Sequence, residues 1–319
     1  MTENRLVRHP TPKATESLQG YLLRLAEANG YTTARPILKL AGISTNESKW
    51  KIPELAKLAA ITGSSIEAFE KIAYKRASDD FSIYRILGHE VLLRDLWLGS
   101  SRVCPQCIDE LGFIEAVWNL DLFVGCPIHK QTAIWFCPHC KDRVPVRRKG
   151  MLTCRCGTSF RNHPTWSLSS EAAYLLDLIR YKLVGERKAP ETGFTAIEMD
   201  LLNLPLKQMI CNIRSLGFYR SNASWIRRRV PGAARGVTPD FGRGLLHSAA
   251  NVLGNWPHGY QQLITDCNPR MYKPSCVVIP TSFDEMLHAI SAAKGSRYER
   301  SVETQSECSV VDSTTLQQG

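Results

Sequence analysis

The sequence predicts a mainly α, multidomain protein in which two helical regions flank a cysteine-rich centre. Three observations predict it. Four Cys/His pairs stand between Cys104 and Cys156. Apolar residues recur at helical spacing on both sides of them, and glycine or proline falls where each helical pattern should stop. The expected order is an N-terminal helix-turn-helix domain over residues 1–80 and a central double metal-binding domain, zinc-ribbon-like, over 81–165. A C-terminal helical domain over 166–300 and a disordered tail over 301–319 complete it.

The centre carries Cys104-Pro-Gln-Cys107, Cys126-Pro-Ile-His129, Cys137-Pro-His-Cys140 and Cys154-Arg-Cys156. In the first three, proline after the first cysteine fixes φ near the value a tight turn needs, and each turn brings two donors together. Taken in order, the pairs give two tetrahedral quartets. Cys104, Cys107, Cys126 and His129 form one, with eighteen residues between the pairs, and Cys137, Cys140, Cys154 and Cys156 form the other, with thirteen. Cys₃His and Cys₄ are closed structural sets suited to zinc, so two structural zinc ions are expected and no catalytic one. An iron–sulfur cluster in the Cys₄ set is the rival, and scattered buried or disulfide cysteines are the bland alternative. His139, inside its turn, is a bystander; His163 is a substitute ligand should Cys154 or Cys156 fail.

N-terminal to this centre, residues 1–14 read as an extended arm. A helix capped near Thr15 or Ser17 presents Leu18, Tyr21, Leu22, Leu25 and Ala26 on one face and stops at Gly30. Ile37, Leu38 and Leu40 suggest a short second helix ended by Gly42. From Pro53 to Ile72 the pattern is helix-turn-helix: Ala59 is small at the crossing, Gly63 permits the turn and Phe69 returns to the core. The second helix bears Glu67 and Glu70 against Lys71 alone, so its expected use is protein contact or structure, because carboxylates are repelled by phosphates.

Residues 81–101 are expected to link this hairpin to the metal region, packing Ile83, Ile86, Leu87, Val91, Leu92, Leu96 and Trp97 between them. Trp118, Leu120, Leu122, Phe123, Trp135 and Phe136 give the metal region a small core that needs its ions to stay folded. Lys141, Arg143, Arg147, Arg148 and Lys149 form a basic loop, solvated or touching phosphate. Farther on, Glu171–Leu183 is amphipathic, Leu204-Pro205 starts a helix through Met209, Ile213 and Leu216 to Gly217, and Leu245–Leu253 and Tyr260–Ile264 flank Trp256-Pro257. Phe283–Ala293 reads as one more helix. Between them Arg220, Arg227, Arg228 and Arg229 form an arginine run beside Tyr219 and Trp225, either a nucleic-acid contact or a solvated loop.

Forty Lys and Arg against thirty Asp and Glu give a net charge of +10, which favours a polyanionic partner or a merely soluble basic protein. No apolar leader opens the chain and no apolar run could span a bilayer, so no membrane partner is expected. Seven of eleven cysteines are committed as ligands, pointing to a reducing cytoplasm. The Walker A loop, His-Glu-x-x-His and the zinc-deaminase signature are all missing. Glu115 and Asp121 have no visible partner and read as surface, so the chain is expected not to be an enzyme. Scattered acids of a metal-dependent nuclease or transposase are the enzymatic alternative.

Glu16-Ser17-Leu18, Tyr21-Leu22-Leu23-Arg24-Leu25-Ala26 and Asn29-Gly30-Tyr31 resemble the opening of the TniQ family. Arg102-Val103-Cys104-Pro-Gln-Cys107, Trp118, Cys126-Pro-Ile-His129 and Cys137-Pro-His-Cys140 resemble its zinc stretch in order and spacing, and Asn255-Trp256-Pro257 resembles a motif of its C-terminal part. The match covers roughly residues 15–160. TniQ proteins, with their longer TnsD relatives, are target-selection factors of Tn7-like and mercury-resistance-type transposons. The resemblance implies a non-enzymatic adaptor linking an RNA-guided CRISPR effector (Cascade-like, with its guide RNA) to the AAA+ ATPase regulator that recruits the transposase. It further implies a nucleoid-associated protein, a homodimer in some systems, and the same eight zinc ligands. The alternative is a TnsD-like protein that reads attachment-site target DNA directly.

Overall fold

Ser17 opens the helical part of the N-terminal region: its hydroxyl accepts the Gly20 amide and caps α1, Leu18–Ala28. The computed structural model describes residues 5–44, 52–77, 82–185, 197–220 and 237–266. Gly30 and Gly42, both at positive φ, follow α1 and α2 (Arg35–Leu40), where only glycine avoids the Cβ penalty. Helices α3 (Ile52–Thr62) and α4 (Ile66–Ile72) follow as a hairpin around Gly63, at φ +67°, with Ser65 capping α4. Their apolar faces close one core: Tyr21 and Leu25 of α1, Ile37 of α2, Leu55 and Leu58 of α3, Phe69 and Ile72 of α4. The rings of Tyr21 and Phe69 meet edge to face at 5.2 Å. The arm straps this core through Leu6, whose amide donates to the Ile61 carbonyl at 3.0 Å.

Where a linker was expected, the chain forms a sheet. Strands β1 (Lys75–Arg76), β2 (Ile83–Ile86) and β3 (His89–Leu92) are antiparallel in that order, with Ile83 opposite Leu92 and Ile86 opposite His89. Leu87 and Gly88 make the two-residue turn, both at positive φ, as the twist of a tight hairpin demands. Leucine is a poor residue for that first position, which is why the turn is hard to read in the sequence. Of the residues expected to pack there, Ile86, Val91 and Trp97 are buried, whereas Ile83 sits half-exposed.

The metal-binding region holds the short helix α5 (Pro105–Leu111), a 3₁₀ turn at Ala116–Asn119 and the ribbon of β4 (Gly125–Cys126) and β5 (Gln131–Thr132). Helices α6 (Ser170–Val184), α7 (Glu198–Asn203), α8 (Leu206–Arg220), α9 (Pro239–Gly254) and α10 (His258–Asp266) follow. Serine and threonine caps start α6 and α9 at Ser169 and Thr238. One apolar core runs from Ile86 through the metal-binding region to Leu263. Glycines mark where backbones cross. A Cβ on Gly242 of α9 would stand 2.6 Å from Val124.

Gly217 corrects an expectation. The pattern predicts a helix end there, yet α8 continues to Arg220. A Cβ there would lie 2.2 Å from the Leu245 carbonyl oxygen, so glycine lets α8 and α9 touch backbone to backbone. Arg220 lies in the last turn of α8. Arg227, Arg228 and Arg229, the expected helix at Phe283–Ala293 and the tail at 301–319 fall outside the described residues.

Candidate metal centres

The structure brings the eight sequence-predicted donors into two separate clusters, each with its ligand atoms within 4.8 Å of one another. In the first, His129 presents Nδ1 to three sulfurs, at 3.4 Å from Cys104 and 3.3 Å from both Cys107 and Cys126, and Cys107 and Cys126 are 3.3 Å apart. In the second, Cys137 lies 3.6 Å from Cys156 and Cys140 lies 3.8 Å from Cys154. Zinc bonds of about 2.0–2.3 Å in a tetrahedron set donor–donor edges of roughly 3.4–3.8 Å. The clusters fit one such ion each. A disulfide needs sulfurs about 2.05 Å apart, so these cysteines are not oxidised pairs. Four sulfurs this close surround a single ion and leave no space for a cluster of irons.

Local structure explains the convergence. Cys104 is the N-cap of α5, Pro105 opens that helix, and Cys107 follows on its first turn. The β4–β5 ribbon carries Cys126 on one strand, and the turn after it presents His129, whose amide donates to the Cys126 sulfur at 3.3 Å. In the second cluster Lys141 takes a positive φ of 59° and its amide donates to the Cys137 carbonyl. The Cys154 amide donates to the Thr158 carbonyl, folding Cys156 back beside Cys154. His139 is exposed and His163 turns Nδ1 to the Pro164 carbonyl at 2.6 Å, so neither belongs to a cluster.

The surroundings of the two clusters differ. Cys104, Cys107 and Cys126 are buried and His129 is half-buried. Glu110 accepts from or pairs with His129 Nε2 at 2.8 Å, and Gln131 donates to the Cys104 sulfur at 3.2 Å. The second cluster opens outward at Cys156, which is exposed and whose thiol is held down at about 5, first by the Thr158 hydroxyl and then by its backbone. Arg148 lies on the inner side, fully buried. It donates to the Met151 and Pro145 carbonyls and to the Ser101 hydroxyl. Burial pulls its pKa down to about 10, against a smaller opposing pull from Cys154. Arg148 therefore corrects part of the expected basic loop: it cannot reach a phosphate.

Glu115 and Asp121 are corrected as well. Both are buried and both hold arginines. Glu115 forms a two-pronged pair with Arg180 of α6, at 2.8 and 3.1 Å. Asp121 meets Arg214 of α8 at 3.2 Å, Arg102 at 3.5 Å and the Val237 amide at 2.8 Å. Arg214 also pairs with Asp95, and Arg102 stacks over the Trp97 ring at 4.2 Å. Partners 65 and 93 residues away leave no local pattern, so sequence reasoning missed them. Glu16, likewise buried, pairs with Arg24 at 2.6 Å. Backbone bonds from Ser17 to Ile114 and from Ala116 to Thr15 tie α1 to the metal-binding region.

Residues 7–132 match the family model of TniQ. That stretch runs from the arm through the N-terminal helices, the sheet and the whole first cluster. That stretch is similar to the TniQ domain. The TniQ family is one of transposition-associated adaptors and target selectors. No curated protein matches the chain. Among the described residues no helix is long and apolar enough to cross a membrane.

Proposed function

We propose that this chain is a non-enzymatic target-selection adaptor. It links an RNA-guided, Cascade-like CRISPR effector to the AAA+ regulator that recruits the transposase, in the cytoplasm and on the nucleoid. Its clusters hold two structural zinc ions. The observation that carries the reading is the TniQ match, which joins the N-terminal helical core and the first metal cluster in one unit. Four protein donors per ion leave no open position for a substrate. The buried carboxylates Glu16, Glu115, Asp95 and Asp121 are engaged by arginines and so are poor candidates for acid–base work.

The charge on α4 supports protein contact over duplex contact for the N-terminal hairpin. Glu67 is exposed and held below the usual carboxylate range, first by a backbone hydrogen bond and then by Ser65. It is ionised at neutral pH and would face phosphates with the wrong sign. Glu70 is offset by Lys75 at 3.2 Å. The net charge of +10 favours a second reading, a TnsD-like selector that binds attachment-site DNA through Arg220, Arg227, Arg228 and Arg229.

Co-expression with the AAA+ regulator and a CRISPR effector, followed by a tagged pull-down, separates the two. Retention of effector subunits and guide RNA is the expected result. Their loss, with one duplex bound tightly instead, makes the chain a direct site selector. Changing Arg227, Arg228 and Arg229 together to Glu should weaken whichever association is found and leave the zinc content alone.

A further inference from the structure

Helix α5 supplies one ligand, Cys107, and one turn later Glu110. Residues three apart share a helix face, so Glu110 emerges beside the cluster, where its Oε1 lies 2.8 Å from His129 Nε2. The same helix carries Gln106, whose Oε1 accepts from Gln131 Nε2 at 2.8 Å. The other proton of that amide points at the Cys104 sulfur, 3.2 Å away, and the Thr165 hydroxyl donates to Gln131 Oε1 at 2.9 Å. One seven-residue helix thus contributes a ligand, a carboxylate against the ring of a second ligand, and an anchor for the amide that faces a third.

We propose that Glu110 and Gln131 are positioning residues that set how tightly and in which form the Cys₃His cluster holds its ion. This rests on the reading of that cluster as a zinc site. Glu110 keeps the imidazole proton on Nε2, leaving the Nδ1 lone pair aimed at the three sulfurs, and makes the ring a stronger donor. Partners of this kind are typically worth about 10–100-fold in metal affinity. Gln131 gives the Cys104 thiolate a hydrogen bond, draining charge from a set of three anionic sulfurs and fixing that sulfur's direction. Glu110 is exposed, so a bland surface role would leave metal binding untouched when it is replaced.

The second cluster serves as a control within the same molecule. Zinc transfer to a chromogenic chelator, followed on the full chain, should show two ions leaving. Glu110→Ala should speed one departure by about 10–100-fold and leave the other at its original rate. Glu110→Gln, whose amide oxygen can still accept from Nε2, should fall between the two. After cadmium replaces zinc, NMR should show the sulfur–nitrogen resonance moving in Glu110→Ala and Gln131→Leu while the all-sulfur resonance stays. Equal acceleration of both departures, or no change in either, overturns the inference. A wild-type chain that retains no ion at the Cys₃His set overturns the metal reading itself, whereas a loaded chain indifferent to Glu110→Ala overturns this inference alone.

Discussion

The two clusters use the same kind of turn but are built into the molecule differently. The Cys₃His set is woven into the main core: β4, which carries Cys126, packs on α6, and Gly125 admits Leu168 so closely that a Cβ would meet it at 2.5 Å. The Cys₄ set joins the same core through Cys137 and Cys154 but is less enclosed. Its loop touches α1 through Glu27, which accepts the Met151 amide at 3.2 Å, and its fourth sulfur faces solvent. Ligand chemistry alone would make the pair equivalent. Burial makes the first the more enclosed keystone of the shared core and the second, open at Cys156, a looser clasp.

The comparison breaks or sharpens under substitution. Cys104→Ser should cost the most: one ion is lost, and because structural zinc contributes on the order of 10 kcal/mol, the helices packed on β4 should lose cooperative unfolding and become protease-sensitive. Cys137→Ser should also remove one ion, yet limit cleavage to the stretch around residues 137–160 and spare most helical circular dichroism. Equal damage from both would erase the distinction, and unchanged metal content in either variant would remove that cluster from the metal sites. Next in size is Glu115→Gln, which touches no ligand and breaks the two-pronged pair with buried Arg180. Breaking such a pair costs about 3–5 kcal/mol, so denaturant midpoints should fall sharply while two ions stay bound. Smallest is Glu27→Ala, on the clasp side. Losing one part-exposed hydrogen bond should cost about 0.5–1 kcal/mol, seen as faster amide exchange at Met151 with the global midpoint nearly unmoved.

The donors were legible because a metal pair is local: two residues and a proline write the turn into the chain. The start of the first helix was legible at Ser17 for the same reason, since a cap bonds its own first turn. What escaped is set by distant partners. Glu115 looks like any surface acid until Arg180 arrives from α6, and Gly217 looks like a stop until α9 crosses it. Glu110 was missed although its spacing from Cys107 could have flagged it: an acid one helical turn after a ligand. The β2–β3 hairpin was hidden by leucine in a position that usually advertises itself with asparagine or glycine.

Asp121 has a mechanical consequence. Its carboxylate grips Arg214, on the helix that leads into residues 221–236, and also the amide of Val237, where the chain comes back. Folding of the core therefore fastens α8 and the lead into α9 to one carboxylate before any partner arrives. The tie runs on to Arg102, which also donates to the Val237 carbonyl and stands two residues before the Cys104 ligand, so the first metal cluster and the two helices share one anchor.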